Sequence, residues 1–339
     1  MKNLKAYTLE ELITELEKFG WEKYRAYQIF SWIWQKGISD INLMTNLSKE
    51  KRQVLQSKFY IGSLKVIDQK IASDGTTKFL FELEDGNCIE SVFIPESTRK
   101  TVCVSSQVGC PLNCKICYTA QAGFKRNLKF YEIADQVLQI QNILGIRVTN
   151  VVFMGMGEPF LNYTEVLKAI YLLNSDYGLN IGARKITVST AGIIPQIYDF
   201  STFPLQVKLA ISLNATTDKI RDILMPINKK YPLKELIKAV KHFVKQKNKR
   251  VTFEYVLIKE INDTDDDIKR LIKLLKDIPC KINVIPFNPY PKSPFEAPSI
   301  KETTAFVNKL YPKLPCVTIR KSKGADILAA CGQLAGKIV

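Results

Sequence analysis

Three cysteines crowded into one short stretch constrain this chain more than any other feature. They stand in the segment Cys103-Val-Ser-Ser-Gln-Val-Gly-Cys110-Pro-Leu-Asn-Cys114-Lys-Ile-Cys117, where Cys110, Cys114 and Cys117 form a C-x3-C-x2-C frame. Thiolates this close must fold around a common centre, and closely spaced cysteines of this kind hold iron–sulfur clusters. A four-iron cluster has four corners. Three protein ligands leave one iron open to bind and activate a small molecule. The competing reading is a structural zinc knuckle, but structural zinc takes four protein ligands. The single histidine, His242, lies far off on a predicted helix.

The rest of the chain supplies a scaffold for that loop. From Thr101 onward, short apolar strands alternate with helical stretches. Strands are expected near residues 101–106, 150–154, 185–190, 206–212, 252–257, 281–286 and 316–320. Helices are expected over 131–144, 165–173, 233–243, 265–275 and 301–311. Such repetition implies a parallel sheet with right-handed crossovers. Six or seven units predict an α/β fold, a partial (β/α)6 barrel. Barrel chemistry sits at the C-terminal ends of the strands, and the cysteine loop follows the first of these strands. Residues 1–58 read as a helical accessory domain, with Thr8 as an N-cap, Gly20 as a stop, and a third helix after Ser48. Residues 59–98 read as a small antiparallel β extension with a tight turn at Glu84-Asp85-Gly86-Asn87. Residues 99–339 form the core.

Composition adds two limits. The chain of 339 residues is 46% hydrophobic, with no apolar run long enough to span a membrane. Its start lacks an apolar signal region, so a cytoplasmic location is expected. Tight clustering of three of the eight cysteines also suits a reducing compartment rather than a disulfide framework. Cys88, Cys280 and Cys316 read as small buried hydrophobes. The net charge of +16 points to a polyanionic partner, because lysine and arginine displace counterions from phosphates. A merely solvated lysine-rich surface is the alternative. Basic pairs near the catalytic loops favour nucleic acid: Arg99-Lys100, Lys125-Arg126, Arg184-Lys185, Lys229-Lys230 and Arg320-Lys321.

Small polar residues recur at successive strand ends. Phe153-Met-Gly-Met-Gly157-Glu158-Pro159 follows the second strand of the core. Its glycines let backbone approach a ligand, and Glu158 suits an ammonium group. Ser189, then Ser212-Leu213-Asn214, then Asn288 close the later strands. Singly each is turn chemistry; together they can fix a nucleoside between apolar walls. Near the end, Ala329-Ala-Cys331-Gly-Gln-Leu334 places a cysteine among small residues.

The cysteine frame resembles that of the radical-SAM superfamily, in which the open iron chelates S-adenosylmethionine (SAM). Ile116 stands where an aromatic is common and keeps the position apolar. Residues 102–128, the Met-Gly-Met-Gly-Glu-Pro segment, Leu224-Met-Pro-Ile-Asn228, the Ala-Ala-Cys-Gly-Gln-Leu tail and Tyr24-Arg-Ala through Trp32-Ile-Trp34 together resemble one family over nearly the whole chain. It is the bacterial radical-SAM family that methylates adenine C2 in 23S ribosomal RNA and some transfer RNAs. The resemblance implies a [4Fe-4S] cluster on Cys110, Cys114 and Cys117. It implies SAM contacts from Gly157, Glu158, Ser189, Ser212, Leu213, Asn214 and Asn288, with two SAM molecules per turnover. It makes Cys331 the cysteine that becomes methylated, Cys103 its redox partner, and Glu90 a proton acceptor. Asn214 departs from the family's frequent histidine; asparagine still hydrogen-bonds but does not change charge. Expected partners are 23S rRNA, tRNA and a flavodoxin- or ferredoxin-like electron donor, with no membrane contact and a monomeric chain.

The chemistry explains the demand for such a site. Adenine C2 lies between two ring nitrogens and is too electron-poor to attack a sulfonium methyl, so a radical route is needed, and that chemistry belongs to the cofactor. Two alternatives stay open at this point. One is the sister family that methylates C8 of the same ribosomal adenine. The other is a non-catalytic, zinc-bound RNA-binding module.

Overall fold

The computed structural model describes residues 1–314 and 316–335. A short strand, β1 (Lys2–Asn3), leads into helices α1 (Leu9–Glu17), α2 (Lys23–Trp34) and α3 (Lys49–Lys58), and β2 (Phe59–Tyr60) returns to pair in parallel with β1. Thr8 caps α1 through a capping box with Glu11, and Ser48 caps α3, which satisfies backbone N–H groups that a helix start leaves free. Gly20 ends the first helical segment with φ of +71°. On α2 the apolar residues Ala26, Ile29, Phe30, Ile33 and Trp34 recur at helical spacing and are buried.

The β extension follows as β3 (Lys65–Ile71), β4 (Thr77–Glu82) and β5 (Cys88–Pro95), and then β6 (Lys100–Cys103) begins the parallel run. A hairpin of β7 (Gln107–Gly109) and β8 (Phe124–Asn127) interrupts it. The alternating units are α4 (Phe130–Leu144), β9 (Asn150–Phe153), α5 (Tyr163–Asn174), β10 (Ile186–Thr190), α6 (Ile194–Thr202), β11 (Lys208–Ser212), α7 (Asp218–Leu224), α8 (Leu233–Lys247), β12 (Val251–Leu257), α9 (Asp265–Leu275), β13 (Cys280–Pro286), α10 (Ile300–Leu310) and β14 (Val317–Ile319).

One sheet carries the molecule, in the order β14-β13-β12-β11-β10-β9-β6-β5-β4-β3. Strands from β6 to β14 pair in parallel, and β3 to β5 continue the same sheet antiparallel to β6. The expected partial barrel is therefore present, and the β extension is an edge of its sheet rather than a separate one. The hairpin β7–β8 and the short helices α6 and α7 did not register in the sequence pattern, being too brief to show a period.

The helical N-terminus is tied to the barrel by one buried ion pair. Lys5 Nζ lies 2.6 Å from Asp135 Oδ1, with both side chains almost fully buried. The other Asp135 oxygen accepts from the Leu64 N–H at 2.8 Å.

Candidate active site

The cysteine loop leaves β6 and is gathered at its base by the hairpin β7–β8. The Cys110 N–H donates to the Gly123 carbonyl at 2.8 Å. Gly109 precedes it with φ of +77°, and a Cβ there would sit 1.8 Å from the Gly123 oxygen; glycine alone fits this crossing. The far side of the loop rests on the Leu224-Met-Pro-Ile-Asn228 segment through the Lys115 N–H to the Leu224 carbonyl. Tyr290 donates its hydroxyl to the Lys115 carbonyl at 2.5 Å and stacks on Tyr118.

Cys110, Cys114 and Cys117 line one cavity, with about 970 Å³ of empty space out to its open mouth. Burial pushes all three thiols up, Cys110 to about 12. Thiolates are the ligand form, so binding here must supply strong positive charge. Three closely spaced thiolates are a donor set that suits an iron–sulfur cluster. His242 sits on α8, packed edge-on against Tyr198.

Gly157, Glu158, Ser189, Ser212, Asn214 and Asn288 all line this same cavity. They arrive from the ends of four parallel strands, β9, β10, β11 and β13, which is what brings residues 157 to 288 together. Glu158 is buried; its two oxygens accept from the Phe160 N–H at 2.9 Å and the Ala191 N–H at 2.7 Å. Burial still dominates and pushes its carboxyl up to about 7, a charge awaiting a cation. Gly157 has φ of +97° and its Cβ position is 2.5 Å from the Gln107 side chain. Asn214 holds φ of +56°; its Oδ1 accepts from the Val256 N–H at 2.9 Å and its Nδ2 points to Met225 Sδ. Leu213 differs from the rest: its side chain is buried in the core, and its carbonyl accepts from Arg221 Nε.

The tail is clamped across the mouth by backbone contacts. Gly332 accepts from the Tyr118 N–H at 2.7 Å, Cys331 accepts from Asn288 Nδ2 at 3.0 Å, and Leu334 accepts from the Thr119 hydroxyl at 2.6 Å. Gln333 Nε2 donates to the Pro289 carbonyl. Cys331 thereby lines the main cavity and also a smaller adjoining one, which Cys103 lines as well. Both thiols are free. Burial first, and Cys331 second, push the Cys103 thiol up to about 12, with Arg320 acting against them. Glu90 lines neither cavity. Its carboxylate pairs with Lys78 Nζ at 2.9 Å and accepts from the Ala335 N–H at 2.8 Å, so it holds the tail from behind.

Several residues gained importance only in three dimensions. Arg221 is fully buried and donates to Leu213, Ala191 and Ser212 carbonyls and to Asn228, lacing the loops after β10 and β11 to the segment that follows α7. Glu254 and Arg320 line the main cavity and lie 3.7 Å apart. Nothing local in the sequence marks Glu254, and Arg320 stands out there only as half of a basic pair. Two of the basic pairs are partly spent inside the fold: Arg320 faces the cavity, and Arg126 bridges Asp85 and Glu132. Of the three cysteines expected to be buried, Cys280 is; Cys88 and Cys316 are half-buried, because Cys88 starts β5 beside the hairpin turn and Cys316 lies in the connection before β14.

Comparisons with known proteins agree with this geometry. Residues 104–275 match the family model of the radical SAM superfamily, and residues 2–61 match that of the ribosomal RNA large subunit methyltransferase N-terminal domain. The chain is 47% identical to the probable dual-specificity RNA methyltransferase RlmN of Thermosipho melanesiensis, over 98% of each chain. It is 46% identical to the dual-specificity RNA methyltransferase RlmN of Geobacter sulfurreducens, over 100% of this chain and 93% of that one. The crystal structure of a radical SAM methyltransferase from Sphaerobacter thermophilus superposes with a TM-score of 0.95 at 41% identity, covering 99% of this chain and 100% of that one. No helix among the described residues is long and apolar enough to cross a membrane. Cysteine frame, strand-end cavity, helical N-terminus and clamped tail are thus parts of one enzyme, and the chain belongs to the RlmN family of radical-SAM, dual-specificity RNA methyltransferases.

Proposed function

We propose that the enzyme methylates C2 of adenine in 23S rRNA and in some tRNAs, using Cys331 as a methyl carrier and Cys103 to release the product. The observation that carries this reading is the position of Cys331, which lines both the cavity of the three cluster cysteines and the cavity of Cys103. Cys110, Cys114 and Cys117 would hold a [4Fe-4S] cluster. Bound together there, the cluster and two SAM molecules per turnover supply the methyl group and the radical that activates it. Glu158 would hold the SAM ammonium, while Ser189, Ser212, Asn214 and Asn288 orient the nucleoside and Gly157 lets it approach.

The protein's own part begins with the Cys331 thiolate, a good nucleophile, which takes the first methyl. Once its activated carbon has joined C2, RNA and protein are covalently linked, and the adduct loses the C2 proton to a base and passes one electron to an oxidised one-electron carrier of the flavodoxin or ferredoxin class. Cys103, as thiolate, then attacks the Cys331 sulfur. The sulfur–carbon bond breaks, a Cys103–Cys331 disulfide forms, and the departing carbon takes a proton to become the methyl group. A cytosolic dithiol reopens the disulfide. Because burial holds Cys103 as a thiol, its proton must leave before attack, and the Arg320 guanidinium beside it favours the thiolate. Glu90, engaged by Lys78 and the tail, supports docking of Cys331; proton acceptance at C2 would require it to leave those contacts.

The test uses Cys103→Ala and Cys331→Ala. Cys103→Ala is expected to accumulate covalently joined to RNA, visible as a slow band on a denaturing gel that nuclease trims. Cys331→Ala and the double variant give no band. Normal turnover by Cys103→Ala would overturn its role, and a band in the double variant would overturn Cys331 as the point of attachment. Mass spectrometry of digested RNA separates C2 from C8 methylation.

A further inference from the structure

Outside the cavities already described, one charged feature of the barrel has no use within the fold. Lys234, Lys238 and Lys241 recur along one face of α8, and Arg270 and Lys273 face them from α9. Together they line a groove with about 1230 Å³ of space out to its open mouth. None of the four lysines is ion-paired with a carboxylate among the described residues. Asp218, which lines the groove, and Asp267 beside it pair with none of these lysines. Asp218 accepts from Asn228 Nδ2 and the Leu233 N–H, and Asp267 is held by Thr216, Thr264 and Arg270. Like charges spaced three and four apart on a helix repel one another, so this stripe opposes folding unless an anion lies along it.

The groove is placed to continue the active site. A helix in a β/α unit runs back from the end of the strand it follows, so α8 and α9 start at the catalytic end of the barrel. Asn214 lines the main cavity, and Thr216, two residues on, lines the top of the groove. There Arg270 Nε donates to the Thr216 hydroxyl at 2.9 Å, joining α9 to the cavity rim. From that rim Lys234, Lys238 and Lys241 descend over about 10 Å, at 1.5 Å per residue.

Resting on the reading that RNA is the substrate, we propose that this groove is a track for the RNA sugar-phosphate backbone leading away from the target adenine. A linear row of unpaired cations matches the repeated charge of a nucleic-acid strand better than the scattered carboxylates of a protein surface. Leu233, Ile237 and Leu274 give the groove an apolar floor on which sugars can lie.

The test compares the intact, cluster-loaded enzyme with the triple variant Lys238→Gln, Lys241→Gln, Lys273→Gln. Binding is measured on a 23S rRNA fragment and on a tRNA transcript across a potassium chloride series. Three lost phosphate contacts predict that the slope of log affinity against log salt falls by about 2 to 3, and that affinity drops roughly ten- to a hundred-fold near 100 mM. The triple Lys→Arg variant keeps the wild-type slope. Methylation of Cys331 without RNA stays unchanged in both, because these lysines touch neither cavity. An unchanged slope in the Gln variant overturns the track. If the slope is unchanged and reduction by an acidic flavodoxin slows, the groove is a protein dock and the track is equally overturned. Failure of the wild-type enzyme to bind either RNA would instead strike the substrate reading itself.

Discussion

Glu158 shows how a single side chain can be both costly and useful. Its hydrogen-bond donors are the backbone N–H groups of Phe160 and Ala191, not cations, and burial lifts it to about 7. The neutral form is favoured in the fold, so its contribution to stability is full below the ordinary carboxylate range and is lost as pH rises toward 7. Ligand binding runs the other way, since an ammonium needs the ionised form. SAM affinity of the cluster-loaded enzyme should therefore be constant above about pH 7.5 and fall below 7, by up to tenfold per pH unit. Equilibrium dialysis from pH 5.5 to 8.5 measures it. A flat profile across that range would remove Glu158 as the ammonium partner. That Glu158 would stand at a strand end, where it lines the cavity, was legible from its Gly-rich setting. Glu254, equally buried and in the same cavity, was not, because it sits mid-strand among β-branched and aromatic residues and looks like an interruption of the core.

At the level of elements, the cysteine loop depends on a hairpin that no periodicity announced. The pairing of β7 with β8 sets Gly109 opposite Phe124 and against the Gly123 carbonyl, and the φ of +77° with a Cβ only 1.8 Å from that oxygen leaves no room for another residue. Gly109→Ala should open the hairpin and spread the three thiols while leaving the ten-stranded sheet intact. Anaerobic reconstitution should then fall from about four irons per chain to less than one, with an unchanged far-UV circular dichroism spectrum. Cys110→Ala, Cys114→Ala and Cys117→Ala should lose most of the iron by removing a ligand outright. Full iron loading of Gly109→Ala would show that the loop is shaped by the cluster alone.

The whole molecule joins a helical N-terminus to a barrel, and the joint is unusually dry. Lys5 and Asp135 are exposed by 1% and 2%, and Asp135 also anchors the start of β3 through the Leu64 N–H. Removing one partner of such a pair strands a buried charge and costs about 3–5 kcal/mol. Lys5→Met should lower stability by that order in a denaturant melt and loosen residues 1–60 first, seen as faster amide exchange there than in the barrel. An unchanged melt would mean that helix packing alone holds the unit. No inspection of the sequence pairs residue 5 with residue 135; the contact exists only because α4 packs beneath the N-terminal segment.

What the sequence determined by itself was everything encoded at short range. Helix caps such as Thr8 and Ser48, the alternation of strand and helix, the C-x3-C-x2-C frame and the small polar residues at strand ends each act through neighbours a few residues away, and all are readable in one pass. The tertiary structure decided which distant groups share a space. A parallel sheet returns the chain to the same rim after every helix, so Glu158, Ser189, Ser212, Asn214 and Asn288 meet around one cavity, and the tail is laid across it to bring Cys331 between the cluster loop and Cys103. It also decided which charges turn inward: Arg221, Arg320 and Arg126 are drawn in by carbonyls and carboxylates that only the fold assembles, while Lys234, Lys238 and Lys241 of α8 keep their charge for solvent or a partner. Local sequence sets the propensity of each element; the free energy of burying a charge depends on partners that arrive from elsewhere in the chain.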